Sequence, residues 1–237
     1  MNATNNKLKI IQWNCRSIFN KISELKYFIF YNKPDIICLN ETNLDDFKSN
    51  KFSIPGFTNI IVNRPSNFGG VAILIKNSFK YSPIFLQLYH IDNSLLECVG
   101  CNIYLDSFNF TIFTCYIPSN KQISSDKLNF FFKEFKEKAF NHLLICGDFN
   151  AHNNLWGDTV SDSRGDYLSQ CLDYNNLIVL NEGLPTRWGS TSSSCIDLFF
   201  GSQSIALSCS WGVFSDRMGS DHCPTFITLS TGVNNNT

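Results

Sequence analysis

The sequence predicts an α/β fold: a four-layered α/β/β/α sandwich of two mainly antiparallel sheets with helices outside. Three observations predict it. A strand–helix–strand unit opens the 237-residue chain, β-rich runs without an intervening helix fill its middle, and a helix–strand–helix unit leads into short strands. With 43% apolar and 14% aromatic residues, a single domain over 1–237 is expected, its core running from about Leu8 to Leu229. The polar ends, MNATNN and TGVNNNT, are expected to be loose.

Each element has its own local reason. Leu8–Trp13 is a short β-like run. Ser17 then precedes a predicted helix whose Ile18, Ile22, Leu25, Phe28 and Ile29 recur at helical spacing, and Asn32 and Pro34 end it. Ile36–Leu39 is the next strand and runs straight into Glu41. Asn59–Asn63, Gly70–Ile75, Leu95–Tyr104 and Phe108–Tyr116 read as one meander. An amphipathic helix over Asp126–Phe140 follows, capped by Ser124 or Ser125. The apolar run from Leu143 stops at Gly147-Asp148, so Asp148 falls at a strand's C-terminal end, where open α/β sheets place their chemistry. Arg164–Asn175 is predicted helical, and short strands are expected around Ile178–Leu180, Ile196–Phe200 and Phe226–Leu229.

Charge and sulfur narrow the class. A net charge of −1 gives no simple electrostatic case for a general nucleic-acid binder, and 22 phenylalanines spread along the chain suit core filling better than a base-stacking platform. The charge is uneven. Residues 1–138 hold 16 basic and 11 acidic side chains, whereas 139–237 hold 3 and 9. An acidic pocket beside a basic flank suits a metal-dependent enzyme acting on a polyanion. The ten cysteines are expected to be reduced and the protein not secreted, because MNATNNKLK lacks an apolar signal region. Cys15, Cys38, Cys115 and Cys146 lie in apolar runs, no paired C-x-x-C motifs point to zinc, and no apolar stretch approaches the ~20 residues that span a bilayer.

Seven places carry candidate chemistry, all at or beside strand ends: Asn14, Glu41, Tyr116, Asp148, Asn150, Asp197 and the run Ser220-Asp221-His222. Hard oxygen donors with few nitrogens suit Mg²⁺ or Mn²⁺, with Glu41 the first choice of ligand. Phosphodiester hydrolysis needs an activated water, neutralisation of phosphoryl charge and help for the leaving oxygen. Asp148 or His222 could take the water's proton. Asp197 sits inside the apolar strand IDLFF, where a carboxylate needs a partner, so an Asp197–His222 pair is expected.

The motifs QWNCRS, LNET, CYIP, GDFNAHNNLWG, the Asp of SCIDLFF and GSDHCP resemble those of the exonuclease–endonuclease–phosphatase superfamily over about Leu8 to Leu229. More narrowly, GDFNAHNNLWG, DSRGDYL, LNEGLPTRW and SSSCIDLFF resemble the apurinic-endonuclease-like domain of non-LTR retrotransposons. The resemblance implies a Mg²⁺-dependent endonuclease that nicks one strand of double-stranded DNA, leaving a 3′-hydroxyl to prime reverse transcription. It implies metal ligation by Asn14 and Glu41, with Asp221 supporting the metal or His222. Asp148 and Asn150 would position water and phosphate, Tyr116 would contact phosphate, and Asp197 would orient His222. Arg164 and Thr186 match positions near the DNA backbone, and Ser220 and Arg187 complete the expected substrate contacts.

The general base is left open between Asp148 and the His–Asp pair. Repair-type members carry an acid where this chain has Arg16, which argues against abasic-site repair. Asn181–Ser194, polar and carrying Arg187 and Trp188, is a candidate DNA-reading loop or an ordinary hairpin. The branch normally joins this domain to a reverse transcriptase, absent from this sequence, so an excised domain, a truncated element and a domesticated host gene are all expected origins. A nuclear location is implied, or a cytoplasmic one before nuclear entry. Two alternatives stay open: a noncutting DNA- or protein-binding module, and a phosphatase or phosphodiesterase of small phosphorylated substrates.

Overall fold

Strand β1 (Lys7–Asn14) sets the layering, because successive side chains of a strand point to opposite faces. Ile10 packs between two sheets, whereas Ile11 and Trp13 pack beneath helix α1 (Ile22–Asn32). Strand β2 (Ile36–Asn40) repeats the pattern, with Cys38 inward and Ile37 and Leu39 outward. Buried on both sides, these strands read as continuous apolar runs. The computed structural model describes residues 7–64, 69–86, 95–106 and 108–231.

The first sheet also contains β3 (Phe57–Val62), β4 (Val71–Lys76), β13 (Cys209–Val213) and β14 (Thr225–Ser230), and its order is β13-β14-β1-β2-β4-β3. The second is built from β5 (Lys80–Ile84), β6 (Glu97–Tyr104), β7 (Asn109–Tyr116), β8 (Leu143–Asp148), β9 (Leu177–Val179) and β12 (Asp197–Ser202), ordered β5-β6-β7-β8-β12-β9. Helices α3 (Ser125–Lys138) and α4 (Ser163–Tyr174) cover its outer face, burying Phe131, Phe132, Phe135, Leu168 and Leu172 with Phe113, Ile145 and Phe200. Each such side chain contributes about 1.5–3 kcal/mol relative to exposure. The inner layer between the sheets holds Ile10, Cys38, Ile73, Val99, Ile112, Cys146 and Phe199. The four layers are those the sequence predicts.

Boundaries and pairings differ in four places. The first helix does not start at Ser17: Arg16 and Ser17 take left-handed φ of 43° and 76°, and the N–H groups of Ser17 and Ile18 bond the carbonyls of Glu41 and Thr42, so a 3₁₀ turn at Phe19–Lys21 intervenes. The four expected meander strands divide between the sheets, β3 and β4 in one, β6 and β7 in the other, because both faces of the inner layer need apolar strands. Strand β5 escaped the sequence reading because KYSPI is a polar edge strand containing Pro83. Likewise α2 (Asp46–Lys51), α5 (Gln203–Ala206), β13 and the hairpin β10 (Arg187–Trp188) with β11 (Ser193–Ser194) are too short or polar to show a period. The expected loose ends lie largely outside the described residues. All ten cysteines are free. The C-x-x-C spacing of Cys98 and Cys101 falls within β6, which turns the two thiols into different core layers. No helix among the described residues is long and apolar enough to cross a membrane.

Candidate active site

Topology gathers the candidate residues at one edge. β1 and β2 run parallel, as do β7 and β8, so Asn14, Asn40, Tyr116 and Asp148 all end strands on the same side. β12 runs antiparallel to β8 and begins there, with Asp197 opposite Asp148. β14 runs antiparallel to β1, which brings the preceding His222 to the same edge. Gly147 makes this close approach possible: a Cβ there would lie 1.8 Å from the Cys115 carbonyl oxygen of the neighbouring strand.

Asp197 and His222 form the expected pair. The ring Nδ1 lies 2.8 Å from Asp197 Oδ2, and Nε2 faces Asp148 Oδ2 at 3.9 Å. The Trp13 indole donates to the His222 carbonyl, and the Ser220 hydroxyl, which accepts from the His222 N–H, donates to the Asn14 carbonyl, fixing the His loop to β1. Burial alone would discharge His222, but Asp197, Asp148 and Asp221 outweigh it and raise its pKa to about 9. Asp148 moves the same way for a different reason. Its burial, then the charges of Asp197 and Glu41, outweigh His222 and Asn14 and push it up to about 7. Burial and the charges of Glu41 and Asp148 keep the Tyr116 phenol protonated and raise its pKa well above the usual value.

The Asn14 amide spans two carboxylates, donating to Glu41 Oε1 at 3.0 Å and Asp148 Oδ2 at 2.7 Å, while its carbonyl oxygen accepts from the Arg16 N–H. As found, it offers this cleft a donor rather than the oxygen expected of a metal ligand. Glu41 and Asn150 hold left-handed φ of 49° and 45°, a local strain that Asn tolerates better than Glu. The Asn150 N–H bonds Asp148 Oδ1, and its side chain donates to the Ile117 carbonyl. Asp148, Asp197 and His222 present ligand atoms within 4.8 Å of one another, close enough to share one metal ion.

Besides Ser220, which is buried with its hydroxyl spent on Asn14 and His222 rather than free for substrate, three expected contacts are otherwise engaged. Asp221 is held between Arg187 at 3.1 Å and Arg16 at 3.3 Å, so the arginine in place of the repair-type acid draws it away from metal ligation. Burial would raise its pKa, but His222, Arg187 and Arg16 leave it below the ordinary carboxylate value. Thr186 is buried, donating to Asp197 Oδ2 at 2.8 Å and accepting from the Ile196 and Asp197 N–H groups, so it orients Asp197 and does not face DNA. Arg164 spends both terminal nitrogens on carbonyls of Phe149, Asn150, Pro118, Ser119 and Lys121. It pins the Pro118–Lys121 loop to the segment after β8. Arg164→Ala is therefore expected to destabilise the fold by about 2–4 kcal/mol, measured by denaturant unfolding, because it orphans carbonyls that receive charged hydrogen bonds. Arg187 keeps an exposed side chain beside the site, and its backbone bridges to His222.

Sequence reading missed the amides that tie the halves together. Gln12 donates to Asn40 Oδ1 at 2.9 Å and Asp197 Oδ1 at 3.0 Å, and Asn40 accepts the Asp148 N–H and donates to Thr114 and the Cys115 carbonyl. A signal existed: Gln12 and Asn40 stand in register with the inward Ile10 and Cys38, at positions where an apolar residue is the default. Glu97 was missed as well. It is buried opposite Tyr116 and paired with Arg64 at 3.1 Å; burial first, and Glu41 last, raise its pKa against the Gly70 N–H and Arg64.

The chain is similar in sequence and fold to several known proteins. Residues 110–226 match the family model described as endonuclease-reverse transcriptase. A probable RNA-directed DNA polymerase from the transposon BS of Drosophila melanogaster is 28% identical over 95% of this chain and 24% of its own length. The chain thus spans about a quarter of that relative. A DNA-(apurinic or apyrimidinic site) endonuclease of Dictyostelium discoideum is 25% identical over 94% of this chain and 71% of its own. In fold, the endonuclease domain of TRAS1, a telomere-specific non-LTR retrotransposon, superposes with a TM-score of 0.80 at 21% identity, covering 95% of this chain and 99% of that one. The chain resembles the exonuclease–endonuclease–phosphatase superfamily and, within it, the apurinic-endonuclease-like domain of non-LTR retrotransposons.

Proposed function

We propose that this protein is a metal-dependent DNA endonuclease that nicks one strand of a duplex and leaves a 3′-hydroxyl able to prime reverse transcription. One observation carries the reading: Asp148 stands between the Asn14–Glu41 bridge on one side and the charged His222–Asp197 pair on the other. That arrangement brings a proton acceptor, a cation for developing charge and a hard-oxygen site to one cleft.

The charge balance fits a divalent ion. Glu41, Asp148 and Asp197 crowd the cleft against the charged His222, and burial first, then Asp197 and Glu41, raise the Asp148 pKa against His222 and Asn14. Glu41 and Asp148 are the residues we assign to hold Mg²⁺ or Mn²⁺, which when bound supplies Lewis-acid neutralisation of the phosphoryl oxygens. The protein's own groups do the rest. With His222 already charged at neutral pH, Asp148 is the better matched acceptor for the water's proton. The imidazolium then faces the charge that develops on phosphorus-bound oxygen, and the protonated Tyr116 hydroxyl donates to the same group.

A cavity of about 790 Å³ adjoins the cleft through Asn150 and Arg187 and includes Lys121, Lys127 and Arg164, with Asp162 its one acid. Such a basin suits a phosphate backbone. The β10–β11 hairpin, carrying a half-exposed Trp188, stands beside it and is our candidate for reading the duplex. Since the transposon relatives are RNA-directed DNA polymerases about four times longer, we assign the activity to a nuclear target, upstream of a polymerase.

A supercoiled-plasmid assay tests the reading. With Mg²⁺ the chain is expected to give open circles whose new ends a DNA polymerase extends directly, and EDTA or Glu41→Gln to lower the rate by about 100-fold or more. EDTA-insensitive binding without cutting selects a noncutting module; phosphate release from inositol phosphates without nicking selects a small-molecule phosphatase.

A further inference from the structure

Helix α1 carries aromatic side chains that no described part of the chain covers. Tyr27, Phe30 and Tyr31 recur at spacings of three and four and are 65%, 73% and 62% exposed. Contiguous exposed aromatic surface of this kind marks a binding face. Along one side of the stripe, α1 and the loop from Phe214 to Gly219 wall a groove of about 620 Å³.

The chemistry of the groove is specific. The Tyr27 and Tyr31 rings meet at 4.6 Å, and Phe214 packs edge-on against Phe28 at 4.9 Å, so the walls present ring faces and edges. The two charged residues lining it, Glu24 and Asp216, are both acidic. Lys21 approaches at Gly219, but its ammonium is bound by the carbonyls of Cys15, Arg16 and Ser17. Asp216 uses Oδ1 to accept the Met218 N–H, and no described hydrogen bond takes Oδ2. Two carboxylates that form no ion pair among the described residues disfavour a phosphate backbone and attract a cation, and aromatic faces favour a planar one.

We propose that this groove binds an arginine-bearing segment of a protein partner, the guanidinium stacked on Tyr27 and Tyr31 and paired with Asp216 or Glu24. A fork of N–H donors satisfies a carboxylate while its plane covers a ring, which the compact, hydrated lysine ammonium does less well. The site is separate from the nuclease cleft and does not depend on the nuclease reading. Its loop wall ends at Gly219, three residues before His222.

The test uses the full chain and a blocked pentapeptide with a central arginine between prolines, followed by amide NMR shifts. Shifts centred on Tyr27, Tyr31, Asp216 and Gly219 are expected. The isosteric citrulline peptide should bind at least about tenfold more weakly, and the double variant Glu24→Gln/Asp216→Asn should lose the same factor with its melting temperature and plasmid nicking unchanged. Tyr27→Leu, which keeps apolar bulk but removes the ring, should also weaken binding. Absence of shifts at these residues, equal binding of the citrulline peptide, or protection of the same residues by duplex DNA would overturn the proposal, as would a dimer that buries the stripe without peptide.

Discussion

Replacing His222 with alanine is expected to slow strand nicking by about 10²–10⁴-fold, with duplex binding largely retained. The ring is held through Nδ1 by Asp197 at 2.8 Å and directs Nε2 at Asp148, so its removal takes the one cation from between two buried carboxylates. The variant also carries a stability signature. Burial opposes the His222 charge, but Asp197, Asp148 and Asp221 prevail and lift its pKa from 6.5 to about 9. A raised imidazole pKa means the folded state binds the proton more tightly. Its contribution is therefore complete below about pH 6.5 and is lost as the pH rises through about 9. Denaturation at a series of pH values should show the wild-type advantage over His222→Ala shrinking across that window; an advantage that grows there would count against the charged imidazole.

Asp148→Asn is expected to reduce nicking by at least about 10³-fold, because it removes the proton acceptor and one of the two carboxylates assigned to the metal. The fold should gain from the same change. Burial, then Asp197 and Glu41, raise the Asp148 pKa from 3.8 to about 7, so ionising it weakens the folded state progressively between those values and fully above them. At pH 8 the amide variant should be at least as stable as wild type, and the difference should fade on acidification toward pH 4. Equal activity, or a variant clearly less stable at pH 8, would remove Asp148 from the role given to it. Such an exchange of stability for activity is expected where selection keeps a strained charge in a site.

How much of this was legible in the sequence depended on burial. β1, β2, β7 and β8 are buried on both faces, so their apolar runs and the polar residues ending them could be read directly, and with them Asn14, Glu41, Tyr116 and Asp148. The Asp197–His222 pair followed from the expense of a carboxylate within an apolar strand. Roles that depend on direction were not legible. Arg164 and Thr186 occupy the places that the motifs suggest, yet their donors turn inward, to carbonyls and to Asp197. Nor could spacing show that Arg16 and Arg187 would capture Asp221. The division of the middle strands between two sheets is a long-range choice, made by packing after each strand has formed.

The charge of His222 in its buried setting underlies both the acid–base assignment and the metal assignment, and it can be observed without any substrate. Side-chain ¹⁵N NMR of the imidazole through a pH titration reads it directly. A midpoint well above the ordinary value of 6.5, near 9, falling markedly in Asp197→Asn, is the expected result. A midpoint at or below 6.5, unmoved by Asp197→Asn, would mean that His222 is neutral in the cleft and that the proposed division of labour between it and Asp148 is wrong.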